Sequence, residues 1–118
     1  MNKYKNLEIW KRSVDLATEV YSATKSFPKE EKYGITSQMR RCAVSVPSNI
    51  AEGAGREGKK EFKYFLHIAY GSIYELETQL LIANNLGYLK DEDHSKLSAE
   101  IDEIQKMIYV FANKLNNK

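Results

Sequence analysis

Apolar residues recur every three or four positions through four long stretches of the chain, and this spacing limits the possible folds more than any other feature. In the third stretch they step by four and three in turn: Phe62, Leu66, Ala69, Ile73, Leu76, Leu80 and Ala83. The fourth stretch repeats the pattern with Leu97, Ile101, Ile104, Ile108, Phe111 and Leu115. Such steps follow the 3.6-residue turn of an α-helix and place one apolar stripe along its side.

Two stripes run side by side along the first stretch. One consists of Leu7, Trp10, Val14, Ala17, Tyr21 and Thr24, and the other of Leu16, Val20, Ala23 and Phe27. Asn6 is the predicted N-cap of this helix, because a short polar side chain can accept from a free backbone N–H. The stripe of the second stretch is Ile35, Met39, Cys42, Val46 and Ile50. Pro47 has no N–H to donate to the carbonyl of Ala43, so we expect a kink there.

These stripes predict helices over residues 7–26, 36–53, 59–86 and 91–115. Their short connections favour an all-α fold, an antiparallel up-down-up-down four-helix bundle with the second helix kinked at Pro47. A chain of 118 residues is the size of one domain, so we expect residues 1–118 to form a single unit. The sequence contains no stretch of roughly 20 apolar residues, no secretory signal and only one cysteine, which favours a cytoplasmic protein without membrane contact.

The segment GAGREG at residues 53–58 has the G-x-G-x-x-G spacing of dinucleotide-binding folds. That fingerprint works only where a strand feeds a tight turn whose N–H groups face a pyrophosphate. Here the preceding SVPSNIAE continues a helical stretch, and the pattern predicts no strand before it. We therefore interpret Gly53, Gly55 and Gly58 as the residues that let the chain reverse between two helices.

The order of several segments resembles one bacterial family. The segments are YKNLEIWKRSVDLATEVY, FPKEEKYGITSQMRRCAVSVPSNIAEG, EFKYFLHIAYGSIYELETQL and NNLGYLKDED, and they span nearly the whole chain. They are similar to the four-helix bundle proteins encoded in intervening sequences of large-subunit ribosomal RNA genes. The most specific parts are SVPSNIAEG at residues 45–53 and GSIYELE at residues 71–77.

That family is in turn similar to the accessory variability proteins of diversity-generating retroelements, which form pentameric barrels and bind nucleic acid beside a reverse transcriptase. The resemblance implies a homopentamer and contact with nucleic acid. It implies no reaction, so function has to be argued from the residues themselves.

Four cations gather at the predicted start of the third helix: Arg56, Lys59, Lys60 and Lys63. We expect them on one side of that helix, opposite Phe62 and Leu66, beside backbone N–H groups that already attract anions. Such a surface can bind a phosphate backbone. The alternative is an ordinary solvated surface, because Glu57 and Glu61 partly neutralise the cations.

Arg40 and Arg41 are neighbours in the predicted second helix, so their directions differ by 100°. We expect one of them to point to solvent and the other to pair with a carboxylate, either Glu52, or Glu75 or Glu77 across the bundle or across a subunit contact. Contact with nucleic acid is the second interpretation of this pair.

No arrangement of residues predicts catalysis, a metal or a cofactor. Asn49 and Glu52 follow Pro47, and we interpret them as side chains that satisfy the backbone at the kink. A di-iron bundle needs paired Glu-x-x-His motifs, which this chain lacks. Cys42 falls on an apolar stripe and is predicted to be a small core residue.

Tyrosines are numerous, and Tyr70, Tyr74, Leu81 and Tyr88 lie outside the main stripe of the third helix. Burial in a subunit interface is the favoured interpretation, and stacking against nucleic-acid bases is the alternative.

The sequence thus predicts a non-enzymatic oligomeric accessory protein that binds RNA or DNA through a repeated basic face. The residues assigned to nucleic-acid binding are Arg40, Arg41, Arg56, Lys59, Lys60 and Lys63. The alternative is an oligomeric scaffold that binds a protein partner and makes no contact with nucleic acid.

Overall fold

Four α-helices make up most of the computed structural model, which describes residues 4–116. They are α1 (Glu8–Thr24), α2 (Ile35–Ala54), α3 (Lys59–Asn85) and α4 (Asp91–Asn116). Short 3-10 turns precede α1 and α2, at Tyr4–Asn6 and Lys29–Glu31. The described residues contain no strand, so the all-α prediction is confirmed.

Each helix packs against its neighbour in sequence, and α1 also packs against α4, so the four helices surround one core. The helices form an elongated body of 46 × 23 × 20 Å. This arrangement is that of a four-helix bundle. The kink at Pro47, the antiparallel course of the helices and the single-domain organisation stay predictions. None of the helices within residues 4–116 has both the length and the apolar character needed to cross a bilayer.

The predicted stripes of α3 and α4 form the centre of the core. Leu66, Ile73 and Leu80 of α3 are fully buried, as are Ile101 and Ile104 of α4. Burial of such side chains is worth roughly 1.5–3 kcal/mol each before the entropy cost is counted. The helical spacing therefore predicts this part of the core correctly.

On α1 the more deeply buried stripe is the second of the two. Leu16 and Val20 are fully buried, whereas Tyr21 of the first stripe is 43% exposed. The reason is tertiary, since α1 packs against both α2 and α4 and buries the side that lies between them. The predicted N-cap is also wrong: Asn6 lies in the preceding 3-10 turn, and Leu7 takes the N-cap position without a side-chain hydrogen bond.

An ion pair joins α1 to α4. The guanidinium of Arg12 donates two hydrogen bonds to the carboxylate of Glu100, both at 3.0 Å, and lies 3.7 Å from a carboxylate oxygen of Glu103. The hydrogen bond to Glu100 raises the pKa of Arg12. The planar fork of arginine makes such a two-point contact directional as well as attractive, so it fixes how α1 sits on α4.

The backbones of α2 and α3 approach closely at Gly53. A Cβ added there would lie 2.8 Å from the Cβ of Phe65 and 3.2 Å from the carbonyl oxygen of Phe62. Neither atom can move without moving α3 itself. Gly53 is therefore a residue of helix packing within α2, which corrects its predicted role in the turn.

We expect Gly53→Ala to destabilise the protein, because α2 and α3 would have to separate. Overpacking of this kind costs about 1–3 kcal/mol of the free energy of unfolding. Urea denaturation followed by circular dichroism measures the change.

Gly71→Ala is the matched control. An added Cβ at Gly71, within α3, meets no atom within 4 Å, so alanine should stabilise by about 0.5–1 kcal/mol through its better helix propensity. Equal stabilisation by both substitutions would contradict the packing role of Gly53.

Candidate nucleic-acid interface

The connection from α2 to α3 presents the candidate site at one end of the bundle. Gly55 is the C-cap of α2, and Gly58 is the N-cap of α3 with a φ of 95°. Residues with side chains rarely adopt that φ, so glycine suits this position. The G-x-G-x-x-G spacing thus serves one helix contact and two helix ends, and none of the described residues before it forms a strand.

Three of the four predicted cations are exposed, namely Arg56, Lys59 and Lys60, and Lys63 is half-buried. We call these four residues the basic face. Lys63 was expected on the side of α3 opposite Phe62 and Leu66, and its partial burial corrects that expectation. Lys63 lies only about 60° around the helix from Leu66, and both line a small cleft that Ile108 of α4 completes.

Arg56 is held in place by its own surroundings. Its Nε and Nη2 donate to one carboxylate oxygen of Glu52 at 3.1 and 2.7 Å, and its guanidinium lies 5.0 Å from the ring centre of Phe65. The pair is about half exposed on both sides, so water weakens it. Arg56 can therefore exchange Glu52 for another anion at little cost.

Carboxylates reduce the field of the basic face. Glu57 and Glu61 are exposed beside the lysines, and Glu52 faces Arg56. Lys59 and Lys60 are the cations of this surface for which neither a hydrogen bond nor an ion pair is formed within residues 4–116. They are the members best placed to meet a ligand.

Arg40 and Arg41 lie elsewhere. They are separated from Arg56 by about 15 residues, which is roughly 22 Å along a helix, so the six predicted residues form two regions. The Nε of Arg40 donates to the hydroxyl of Thr24 at 2.8 Å, and its guanidinium lies 4.6 Å from the ring centre of Tyr21.

The predicted pairing of one of these arginines with a carboxylate of the same chain is therefore wrong, and a pairing across a subunit contact stays a prediction. Arg40 binds a hydroxyl and an aromatic ring of α1, while Glu52 pairs with Arg56. Arg41 is exposed, as expected for one member of the pair. Arg40 has a packing role between α1 and α2, and Arg41 is the one available to a ligand.

The side chains near Pro47 are engaged in structure. The amide of Asn49 donates to the carbonyl of Ser45 at 2.8 Å and to its hydroxyl at 2.9 Å. That hydroxyl lies 2.9 Å from the hydroxyl of Ser72 on α3. Asn49 thus satisfies a carbonyl near Pro47, though not that of Ala43, and it ties α2 to α3.

Two other titratable residues, Cys42 and Tyr88, are engaged in packing or hydrogen bonding within the fold. Burial, and then the charge of Glu75, raises the pKa of the Cys42 thiol, which favours the unreactive protonated form. Cys42 is half-buried at the edge of the core rather than inside it. Tyr88 packs on Phe27 and donates to Glu31 at 3.0 Å, a bond that raises the pKa of Tyr88. Within the described part of the chain, no three His, Cys, Asp or Glu residues are placed to share a metal ion.

The second basic region, around Arg40 and Arg41, has a shape and further members that were not predicted from the sequence. It is a groove of roughly 560 Å³ beside the start of α2. Its aromatic and cationic lining consists of Tyr21, Lys32, Tyr33, Arg40 and Arg41. We call it the Tyr33 groove, because Tyr33 is 86% exposed. Of its residues, Lys32 and Tyr33 were interpreted only as part of a connection between helices, although a tyrosine beside a lysine in such a connection is itself a signal.

We expect Arg40→Ala to lower the free energy of unfolding by ~1–2 kcal/mol, because it removes a charged donor to Thr24 and a contact with Tyr21. Arg41→Ala should change stability by less than about 0.5 kcal/mol, since its side chain is exposed. Urea unfolding of both variants measures the difference. Similar losses in the two variants would contradict the different roles assigned to them.

Comparison with known proteins agrees with the architecture. A solved structure with a TM-score of 0.79 covers 88% of this chain and 97% of its own, at 20% sequence identity. It is described as a protein with unknown function from the S23 ribosomal protein family of Bacteroides thetaiotaomicron. At that identity the likeness concerns the fold. No curated protein matches the chain.

A family model described as 23S rRNA-intervening sequence protein matches residues 5–110, which is most of the chain. The match confirms the resemblance carried by the SVPSNIAEG and GSIYELE segments. The chain therefore belongs to the 23S rRNA-intervening sequence protein family.

Proposed function

We propose that this protein is a non-enzymatic, oligomeric accessory protein of the cytoplasm that binds RNA or DNA through the basic face. The observation that carries the proposal is the position of Lys59 and Lys60. Both are exposed in the first turn of α3, where no described side chain caps the free N–H groups. Cations and free N–H groups at one place favour a phosphate.

The contact we propose is with the backbone of the nucleic acid. Lysine side chains on flexible stems suit phosphates, which carry no sequence information by themselves. Arg56 adds a planar donor that can leave Glu52 for a phosphate. Three nearby carboxylates limit the strength of one such patch, so a single subunit would bind weakly.

Assembly supplies the strength that one patch lacks. When several copies of a weak site are joined, each contact after the first is made at a high effective concentration. Large exposed apolar side chains support assembly, among them Val110 at 51% and Leu86 at 55% exposure. The number five comes from the resemblance to pentameric accessory variability proteins, and we adopt a homopentamer on that basis.

The proposal includes no reaction, cofactor or membrane contact. The carboxylate considered for acid–base chemistry has a structural partner, since Glu52 binds Arg56. A catalytic group needs a free face toward a substrate.

A protein-binding scaffold is the second candidate. The apolar side chains Leu81, Ile82 and Leu86 are each 45–55% exposed near the end of α3. Such a group can dock a protein partner instead of a second subunit. The two functions differ in which residues they need, so charge reversal at the basic face separates them.

Reversing Lys59 and Lys60 together to Glu should weaken nucleic-acid binding at least tenfold at low salt. The variant should also show a shallower dependence of log affinity on log salt, by about one unit for each phosphate that it no longer binds. Fluorescence anisotropy with labelled duplex DNA and structured RNA, over a salt series, measures both quantities.

The matched control is Lys90→Glu with Lys96→Glu, which makes the same charge change on exposed lysines at or near the start of α4. It should retain most of the affinity. If both double variants lose affinity equally, net charge and not the basic face governs binding. If the unchanged protein binds no nucleic acid at low salt, the proposal is wrong and the scaffold function takes its place.

Native mass spectrometry tests the assembly. We expect a single species of five times the 13.6 kDa chain mass. Leu86→Lys should shift the population toward smaller species if this apolar surface is a subunit contact, because a charge cannot be buried there without a partner. A monomer at micromolar concentration would remove the multivalent part of the proposal.

A further inference from the structure

The Tyr33 groove combines exposed aromatic rings with cations. Tyr33 is 86% exposed and Tyr21 is 43% exposed. The ammonium of Lys32 lies 5.4 Å from the ring centre of Tyr33, and the exposed Arg41 lines the same groove. The ring of an exposed tyrosine presents apolar surface to water, and stacking against a flat partner removes that surface from water.

The charge of the groove selects the kind of partner. Lys32, Arg40 and Arg41 line it, and no described residue that lines it is Asp or Glu. The neighbouring Glu31 is engaged by the hydroxyl of Tyr88 and by the backbone N–H of Ile35. Charge complementarity therefore favours an anionic ligand here more than at the basic face, where carboxylates are interspersed.

A volume of roughly 560 Å³ is within the range of sites that hold small molecules. The groove is lined by both tyrosine rings and cationic side chains. Flat rings can stack on bases, and cations can contact phosphates. This combination is how proteins hold single strands without reading their sequence. A duplex hides its bases in a stack and cannot use the rings.

We propose that the Tyr33 groove binds unpaired nucleotides, with a base stacked on Tyr33 and the adjoining phosphates contacted by Lys32 and Arg41. This inference rests on the proposed function and adds the class of ligand, single-stranded RNA or DNA. It also adds a second contact region on each subunit, because the groove and the basic face lie near opposite ends of α2.

Comparing a strand that has bases with one that lacks them tests the stacking directly. We would measure binding of labelled oligothymidylate, oligouridylate and an abasic strand of equal length and charge, by fluorescence anisotropy at low salt. Stacking on an aromatic side chain is worth at least about fivefold in affinity per base. The unchanged protein should therefore bind both base-containing strands at least about fivefold more tightly than the abasic strand.

Tyr33→Ala should abolish that preference and leave affinity for the abasic strand unchanged. Because this side chain is so exposed, its removal should not disturb the fold, which circular dichroism would verify. Tyr64→Ala is the matched control, since Tyr64 is 62% exposed and adjoins the basic face. It should keep the preference.

Each contrary result would overturn a specific part of the inference about the Tyr33 groove. If the base-containing and abasic strands bind equally, the phosphate contacts stand and the stacking inference is wrong. Loss of the preference in Tyr64→Ala alone would place stacking beside the basic face, which also overturns it. A smaller oligomer in Tyr33→Ala would make the groove a subunit contact. Absence of all binding at low salt would overturn the proposed function as well.

Discussion

The missing side chain at Gly53 lets α3 lie against α2, and the position of the whole α2–α3 connection depends on this contact. Phe62 and Phe65 fill the space that a Cβ would occupy. Phe65 in turn supports the guanidinium of Arg56 from below, at 5.0 Å. The same contact that closes the core therefore sets where the first cation of the basic face lies. At this end of the bundle, the residues that pack α2 against α3 also position the candidate site.

The spacing of apolar residues was sufficient to predict which residues of α3 and α4 are buried. The buried stripes of α3 and α4 follow from positions three and four apart, because hydrophobic burial needs no specific partner. The rotation of α1 could not be predicted in this way. Both of its stripes have the right spacing, and the presence of α2 on one side and α4 on the other decides between them.

The polar contacts were harder to predict for the same reason. A carboxylate was the expected partner of one member of the Arg40–Arg41 pair, but the partners of Arg40 are the hydroxyl of Thr24 and the ring of Tyr21. Sequence spacing within α2 carries no information about which residues of α1 lie opposite. The exposed ring of Tyr33 was not singled out from the sequence, because the residue was interpreted as part of a connection. By contrast, the positions of Lys59 and Lys60 follow from the helix start at Gly58, which local glycine chemistry indicates.

The distance between the basic face and the Tyr33 groove has a consequence for ligand length. Each residue of a helix adds a fixed rise, so Arg41 of the groove and Arg56 of the basic face, about 15 residues apart, are separated by roughly 22 Å along the direction of α2. A short oligonucleotide can occupy one region or the other, whereas only a longer strand can bridge both. In the proposed function, the length of α2 therefore sets the shortest strand that one subunit can contact at both regions.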